Sequence, residues 1–197
     1  MVYNFVFARN RYEFKQFVTI KFTDWFIILL IIIEKMAQLY LLLGGNLGDK
    51  QQLFANALEM IASDIGEITA RSAVYETEPW GFESDDLFWN QVVVVETSLQ
   101  PLALLEQTQR IEKHLGRVRH AQQYVSRLID LDLLFYDKQV IRHLRLEIPH
   151  PRIAERRFVL EPLAEIAPDF LHPVLHKTIA QLLADCPDQL AVNKLKA

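Results

Sequence analysis

The stretch Arg127-Leu128-Ile129-Asp130-Leu131-Asp132-Leu133-Leu134 constrains the fold more than any other. It is apolar and β-compatible, yet two carboxylates interrupt it two residues apart. In a strand, residues i and i+2 share a face and stand about 6.6 Å apart along the axis. Asp130 and Asp132 are therefore expected side by side, with Ile129, Leu131 and Leu133 lining the opposite face. The apolar face needs a core. The other face carries two like charges that repel each other and resist leaving water. Open water satisfies that face at little cost. So does a divalent cation, and hard Mg²⁺ takes oxygen ligands of this kind while sharing them with substrate phosphates. These eight residues alone leave both arrangements open.

A chain of 197 residues is long enough to bury such a core in one domain with some length to spare. Hydrophobic content of 51% with 23% charged residues is that of an ordinary soluble globular protein. The single cysteine, Cys186, excludes an intramolecular disulfide framework and suits a reducing cytoplasm. A net charge of −4 argues against a general nucleic-acid binder.

Residues 1–35 differ from the remainder. They hold nine aromatic residues and no Gly, Pro or His, and their five basic and three acidic residues give +2. The apolar run Trp25–Ile33 is nine residues long before Glu34-Lys35 interrupts it. A membrane span needs about 20 apolar residues, and Glu34-Lys35-Met36 is no small-residue cleavage site for a signal peptide. Residues 1–35 are therefore expected to be an N-terminal extension outside the functional fold, with Met36 a candidate true start and residues 36–197 the functional domain.

From Met36 the chain is well punctuated. Leu39–Leu43 reads as a strand entering Gly44-Gly45-Asn46-Leu47-Gly48, and Phe54, Ala57, Leu58, Ile61 and Ile65 recur at helical spacing before Gly66. Ile68, Ala70, Ser72 and Val74 alternate as on one strand, an acidic loop spans 76–87, and Phe88–Thr97 is a strand. Pro101 opens a helix with the stripe Leu104, Thr108, Ile111 and Leu115, closed by Gly116. The aspartate strand follows and turns at Tyr136–Gln139. The proline-punctuated tail holds one more helical segment near Lys177–Ala184. The repeated β-α-β order predicts an α+β, ferredoxin-like sandwich of helices on a mainly antiparallel sheet, a plan that does not specify chemistry.

The Gly-Gly-Asn-Leu-Gly turn is neither a P-loop nor Gly-x-Gly-x-x-Gly, so a structural strand-to-helix turn accounts for it. The basic residues say more. From Arg110 to Arg157 eleven Arg and Lys stand against six acids, so this segment is +5 in a chain that is −4. Arginine predominates there, and its planar fork suits bidentate contact with phosphate. A solvated basic face explains any one of these residues, but the local reversal of sign around a paired-carboxylate strand favours a polyphosphate–Mg²⁺ site. Phe88 and Trp89, just before Asn90, must face opposite ways. Core packing explains such rings, as does a slot for a flat heterocycle beside an Asn amide.

Together these pieces resemble the 6-hydroxymethyl-7,8-dihydropterin pyrophosphokinase family of folate biosynthesis. The resemblance rests on Leu43-Gly44-Gly45-Asn46-Leu47-Gly48, Tyr75-Glu76-Thr77-Glu78-Pro79-Trp80-Gly81, Phe88-Trp89-Asn90 and Gln109-Arg110-Ile111-Glu112. It continues through Gly116-Arg117-Val118-Arg119, Arg127-Leu128-Ile129-Asp130-Leu131-Asp132 and Ile148-Pro149-His150-Pro151. It implies transfer of pyrophosphate from ATP to the pterin hydroxymethyl oxygen, releasing AMP. By the same resemblance, Asp130 and Asp132 bind two Mg²⁺, and Arg117 and Arg127 engage phosphates with help from Arg119. Gln109, Glu112, His150 and Arg156 fall where the family contacts the nucleotide. Phe88 and Phe158 match the rings that sandwich the pterin, Asn90 hydrogen-bonds it, and the backbone of Thr77, Glu78 and Trp80 completes the pocket. The implied partners are small molecules only, with no nucleic acid, membrane or obligate protein partner, in the cytoplasm.

The chain departs from the family at Val125-Ser126, where many members have Gly-Pro just before the arginine, at Tyr124, where some have Trp, and in its first 35 residues. Two other classes fit parts of the pattern. A Mg²⁺-dependent nucleotidyltransferase would release pyrophosphate instead of AMP, and a non-catalytic ferredoxin-like binding module would show no turnover.

Overall fold

A computed structural model describes residues 36–81, 84–117 and 127–195. The N-terminal extension, Arg119 and the Tyr124-Val125-Ser126 departure lie outside them.

Strand β1 (Ala37–Gly45) is the centre of the fold. Helix α1 (Lys50–Asp64), strands β2 (Glu67–Arg71), β3 (Tyr75–Thr77) and β4 (Phe88–Thr97), helix α2 (Pro101–His114) and strand β5 (Asp130–Tyr136) follow. β4 and β5 flank β1, both antiparallel to it, and β2 and β3 pair with the far side of β4. Each β-α-β unit thus steps over one strand, which is the ferredoxin-like plan. A C-terminal strand, β6 (Val192–Lys194), extends the sheet beyond β3.

Alternation along β1 and β4 produces two cores. Leu39, Leu41 and Leu43 of β1 pack with Phe54, Ala57 and Ile61 of α1 and Leu104 and Ile111 of α2. Tyr40 and Leu42, with Val92 and Val94 of β4, pack on the other face against α3 (Arg157–Ile166) and α4 (Ile179–Ala184). Ile129, Leu131 and Leu133 join the first core, as strand geometry requires. That turns Asp130 and Asp132 toward the α3 face. Among the described residues no helix is long and apolar enough to cross a membrane.

Two expectations need correction. The run Ile68–Val74 is not one strand, because Ser72 interrupts it. Its amide donates to the Val92 carbonyl at 2.9 Å while its own Oγ accepts from Val92 N at 3.0 Å, so a side chain takes over a rung of the ladder. Pairing resumes at Tyr75. In the tail, Lys177 and Thr178 lie outside α4, which Thr178 caps in a capping box with Gln181. The tail also contains α3, which its proline concealed. Pro162 sits inside that helix and removes an amide donor, a penalty of about 3 kcal/mol. Burial of Val159, Leu160 and Leu163 outweighs it, at up to about 1.5–3 kcal/mol per side chain.

The Gly-Gly-Asn-Leu-Gly turn is structural in a specific way. Asn46 N and Leu47 N both donate to the Arg127 carbonyl, at 2.9 and 3.2 Å, and Arg127 N donates back to Asn46 Oδ1 at 2.8 Å. This three-bond clamp holds the backbone leading into β5. It needs Gly45, because a Cβ there would lie 2.3 Å from the Leu128 carbonyl oxygen. Gly45→Ala is therefore expected to cost about 1–3 kcal/mol in equilibrium urea denaturation. Gly44→Ala should cost less, since its Cβ would meet only Asn90 Oδ1, at 3.5 Å. Equal losses, or the reverse order, would contradict the clamp.

Candidate functional site

Sheet register assembles the site. Across the α3 face, Gly44 lies between Asp130 of β5 and Asn90 of β4, and in the next row Leu42 lies between Asp132 and Val92. Gly44 has no side chain, so this part of the sheet is the floor of a cavity of about 350 Å³, and Leu42 makes its apolar patch. Asn90 and Thr77 form one wall. Both are buried, and Asn90 Nδ2 donates to Thr77 Oγ1 at 2.9 Å, which fixes the amide.

Three aromatic rings, those of Trp80, Phe88 and Phe158, line part of the cavity. Phe88 faces the cavity, whereas its neighbour Trp89 turns to the first core, meets Phe54 edge-on and donates to Glu76 at 3.1 Å. Phe88 and Trp89 thus face opposite ways, as their adjacency in β4 demands. Trp80 and Phe158 lie 6.4 Å apart between ring centres. The Arg156 guanidinium stands 5.0 Å from the Trp80 ring and 5.6 Å from that of Phe158, and Arg127 stands 5.9 Å from Phe88. These are cation–π distances.

The other end is charged. Asp130 pairs with both Arg117 and Arg127. A Schellman cap on α2 delivers Arg117: Gly116, at φ +88°, donates to the Lys113 carbonyl, and Arg117 N donates to the Glu112 carbonyl. Burial would raise the Asp130 carboxyl, but Arg127 and then Arg117 outweigh it and hold it below the usual carboxylate range. Asp132 has no such compensation. Burial and the neighbouring Asp130 charge push it up to about 7, and Arg156 and Arg127 offset this only in part. Glu112 is also raised, first by burial and then by Asp130.

The strand therefore presents one carboxylate neutralised by two arginines and one whose charge Arg156 and Arg127 offset only in part. Among the described residues no three His, Cys, Asp or Glu side chains gather into a metal site. An ion held by the Asp130/Asp132 pair would take its remaining ligands from phosphate oxygens and water. The donors fit that anion too. Among the described residues Arg156 Nε, buried in the wall, has no hydrogen-bond acceptor, and a phosphate oxygen would supply one.

His150 is fixed from both sides of its backbone. Its amide donates to the carbonyl of Leu134, the extra residue at a β-bulge in β5, and its Nδ1 accepts from Arg152 N at 3.2 Å. The ring proton therefore resides on Nε2. Burial, and next the Arg156 charge, lower its pKa to about 4.

Of the residues singled out in the sequence, Thr77, Glu78, Trp80, Phe88, Asn90, Arg127, Asp130, Asp132, His150, Arg156 and Phe158 all line this one cavity. Gln109, Glu112 and Arg117 do not line it. Glu112 and Arg117 stand behind Asp130, while Gln109 lies half-buried on α2. Arg119 falls outside the described residues. Four lining residues were missed: Leu42, Gly44, Pro151 and Arg152. Arg152 was visible only as one more positive charge. Asn46, whose side chain clamps Arg127, gave no signal beyond its place in a glycine turn.

The profile of the 7,8-dihydro-6-hydroxymethylpterin-pyrophosphokinase family matches residues 40–168. The 2-amino-4-hydroxy-6-hydroxymethyldihydropteridine pyrophosphokinase of Porphyromonas gingivalis is 44% identical over 141 residues, 70% of this chain and 95% of that protein. The enzyme of the same name from Methylorubrum extorquens is 44% identical over 150 residues, covering 76% and 93%. The chain belongs to this pyrophosphokinase family. The fold is that of the Plasmodium falciparum HPPK-DHPS protein, with a TM-score of 0.65 at 18% identity, over 77% of this chain and 43% of that one. The matched segment of this pyrophosphokinase begins inside β1 and ends just past α3, so it spans every element that lines the cavity.

The environment of His150 is open to direct test. Its folded pKa lies below the ordinary value of 6.5, so the native ring binds fewer protons than the unfolded one. The ring therefore costs stability progressively as pH falls from about 6.5 toward about 4. An NMR titration is expected to show it neutral at pH 6, with a midpoint near 4. A midpoint at or above 6.5 would contradict the described environment.

Proposed function

We propose that this cavity is the pyrophosphoryl-transfer site of the enzyme, with ATP phosphates at its charged end and the pterin between its rings. The protein is an ATP-dependent pyrophosphokinase of folate biosynthesis acting on 6-hydroxymethyl-7,8-dihydropterin. In that reaction the hydroxymethyl oxygen forms a bond to the β-phosphorus of ATP, the bond between that phosphorus and the α–β bridging oxygen breaks, and AMP departs.

The observation that carries the site assignment is the convergence of Asp130, Asp132, Arg127, Arg156 and the rings of Phe88 and Phe158 on one cavity. Asp130 and Asp132 are the ligands proposed for two Mg²⁺ ions, which when bound would neutralise the phosphate oxygens during transfer. Arg127, anchored by its backbone clamp, and Arg156, through its buried Nε, would hold phosphate oxygens. His150 offers an uncharged N–H donor to the nucleotide. Phe88 and Phe158 offer faces to the flat pterin ring, and Asn90, locked by Thr77, offers its amide oxygen. The reading has no covalent enzyme intermediate, and positioning and charge neutralisation carry the rate. It calls for no nucleic acid, membrane or protein partner. The cytoplasm is the compartment that suits a chain whose one cysteine, Cys186, is free.

An assay with ATP, MgCl₂ and the hydroxymethyl-dihydropterin tests this reading. AMP should form one-for-one with the diphosphorylated pterin, and EDTA should abolish it. Asp132→Asn should lower turnover by at least about a thousand-fold while the protein stays folded. Pyrophosphate release instead of AMP, or undiminished turnover in Asp132→Asn, would contradict it.

A further inference from the structure

Arg156 occupies the N-cap position of α3, yet its side chain makes no capping bond. It lines the cavity instead, as does Phe158 two residues on, while Arg157 between them does not. A Ser, Asp or Asn at that position would cap the helix itself and satisfy one of its first amides. An arginine cannot, because a guanidinium has donors only. The acceptor comes from the far end of the chain. Asp188 Oδ2 accepts Arg157 N at 3.1 Å, and the Asp188 carbonyl accepts Arg157 Nε at 3.0 Å. Arg157 Nη1 also pairs with Glu161 Oε1 at 2.9 Å, one turn along the same helix. Asp188 is itself fixed. Its Oδ1 accepts Leu190 N at 3.0 Å, Cys186 before it is buried in the second core, and Val192 beyond it pairs with Thr77 of the cavity wall. This tail lies past the segment 40–168 that the family profile matches.

We infer that Asp188 is a positioning residue for the transfer reaction, a cap supplied from the tail that fixes Arg156 and Phe158 on the cavity. The inference rests on the proposed role of Arg156 in holding phosphate oxygens. The residue that opens a helix can serve the helix or the site. A capping acid at position 156 would satisfy the first turn but bring negative charge to where the phosphates would lie. Arginine there serves the ligand, and the capping task passes to a residue 31 positions beyond Arg157. Arg157 is pinned through both its amide and its side chain, so the residues on either side of it are held to the cavity. Without the Asp188 carboxylate the first turn would fray, and Arg156 would face the cavity for only part of the time. A ligand that needs Arg156 in place then binds more weakly by that fraction. Once nucleotide is bound the turn is ordered again, so the rate at saturation is little affected.

The test sets binding against turnover. The full chain is titrated calorimetrically with α,β-methylene-ATP, whose α–β linkage cannot be cleaved, in excess MgCl₂, and AMP formation is followed at saturating substrates. Asp188→Ala is expected to weaken binding of the analogue about fivefold, the scale of a lost helix cap, and to change kcat by less than about twofold. Asp188→Asn keeps an oxygen for Arg157 N and should stay within about twofold of the wild type in both, since Asn caps as well as Asp. Thr178→Ala removes the cap of α4, where Thr178 Oγ1 accepts Gln181 N at 3.2 Å, and Thr178 does not line the cavity. It should lower the melting temperature to a similar extent and leave the affinity unchanged. In an Arg156→Ala background, Asp188→Ala should have little further effect on affinity. Unchanged affinity in Asp188→Ala would overturn the inference, as would a fall in kcat as large as the loss of affinity. So would an equal loss in Thr178→Ala or Asp188→Asn, or one that persists without Arg156. If the wild-type chain did not bind the analogue at all, the site reading itself would fall and take this inference with it.

Discussion

The site depends on a buried carboxylate, Asp130, kept charged by two arginines. Removing such a group from water costs several kcal/mol unless partners with good geometry surround it. Each arginine is delivered by a separate backbone device. Arg127 is clamped by Asn46 and Leu47, which requires the bare backbone of Gly45. Arg117 emerges from the Schellman cap that Gly116 allows. Two glycines distant in sequence therefore serve one charge balance. Asp132, two residues along the same face, is left out of it and is pushed up to about 7 by burial and by Asp130.

The cavity has two chemically different ends, and Arg156 belongs to both. Its guanidinium lies near the Trp80 and Phe158 rings, yet its Nε is a buried donor with no acceptor among the described residues. Such an arrangement suits a ligand that is flat at one end and anionic at the other, or two ligands that meet there. A pyrophosphokinase has that requirement, since an uncharged ring and a polyphosphate must come together before a phosphoryl group can pass between them.

How much of this was legible in the sequence follows from which forces are local. Strand alternation is local, so the sidedness of Asp130, Asp132, Phe88 and Trp89 could be read from spacing. The β-α-β order led to the sheet plan. The break at Ser72 could not be read, because its cause is a side chain bonding to Val92 twenty residues away. Helix α3 was hidden by Pro162, whose local penalty is outweighed by burial against β4 that no window of sequence contains. Asn46 looked like a turn residue because its partner, Arg127, lies 81 positions on. Gly44 matters for what it leaves empty, and an empty place has no residue pattern.

The central claim is that Asp130 and Asp132 together hold the cations of the transfer reaction. Crystals of the full chain grown with α,β-methylene-ATP and MnCl₂, measured at the manganese edge, test it most directly. The account predicts two anomalous peaks in the cavity, each within about 2.3 Å of an oxygen of Asp130 or Asp132 and each also touching phosphate. Nucleotide bound in the cavity with no peak at either aspartate would contradict it.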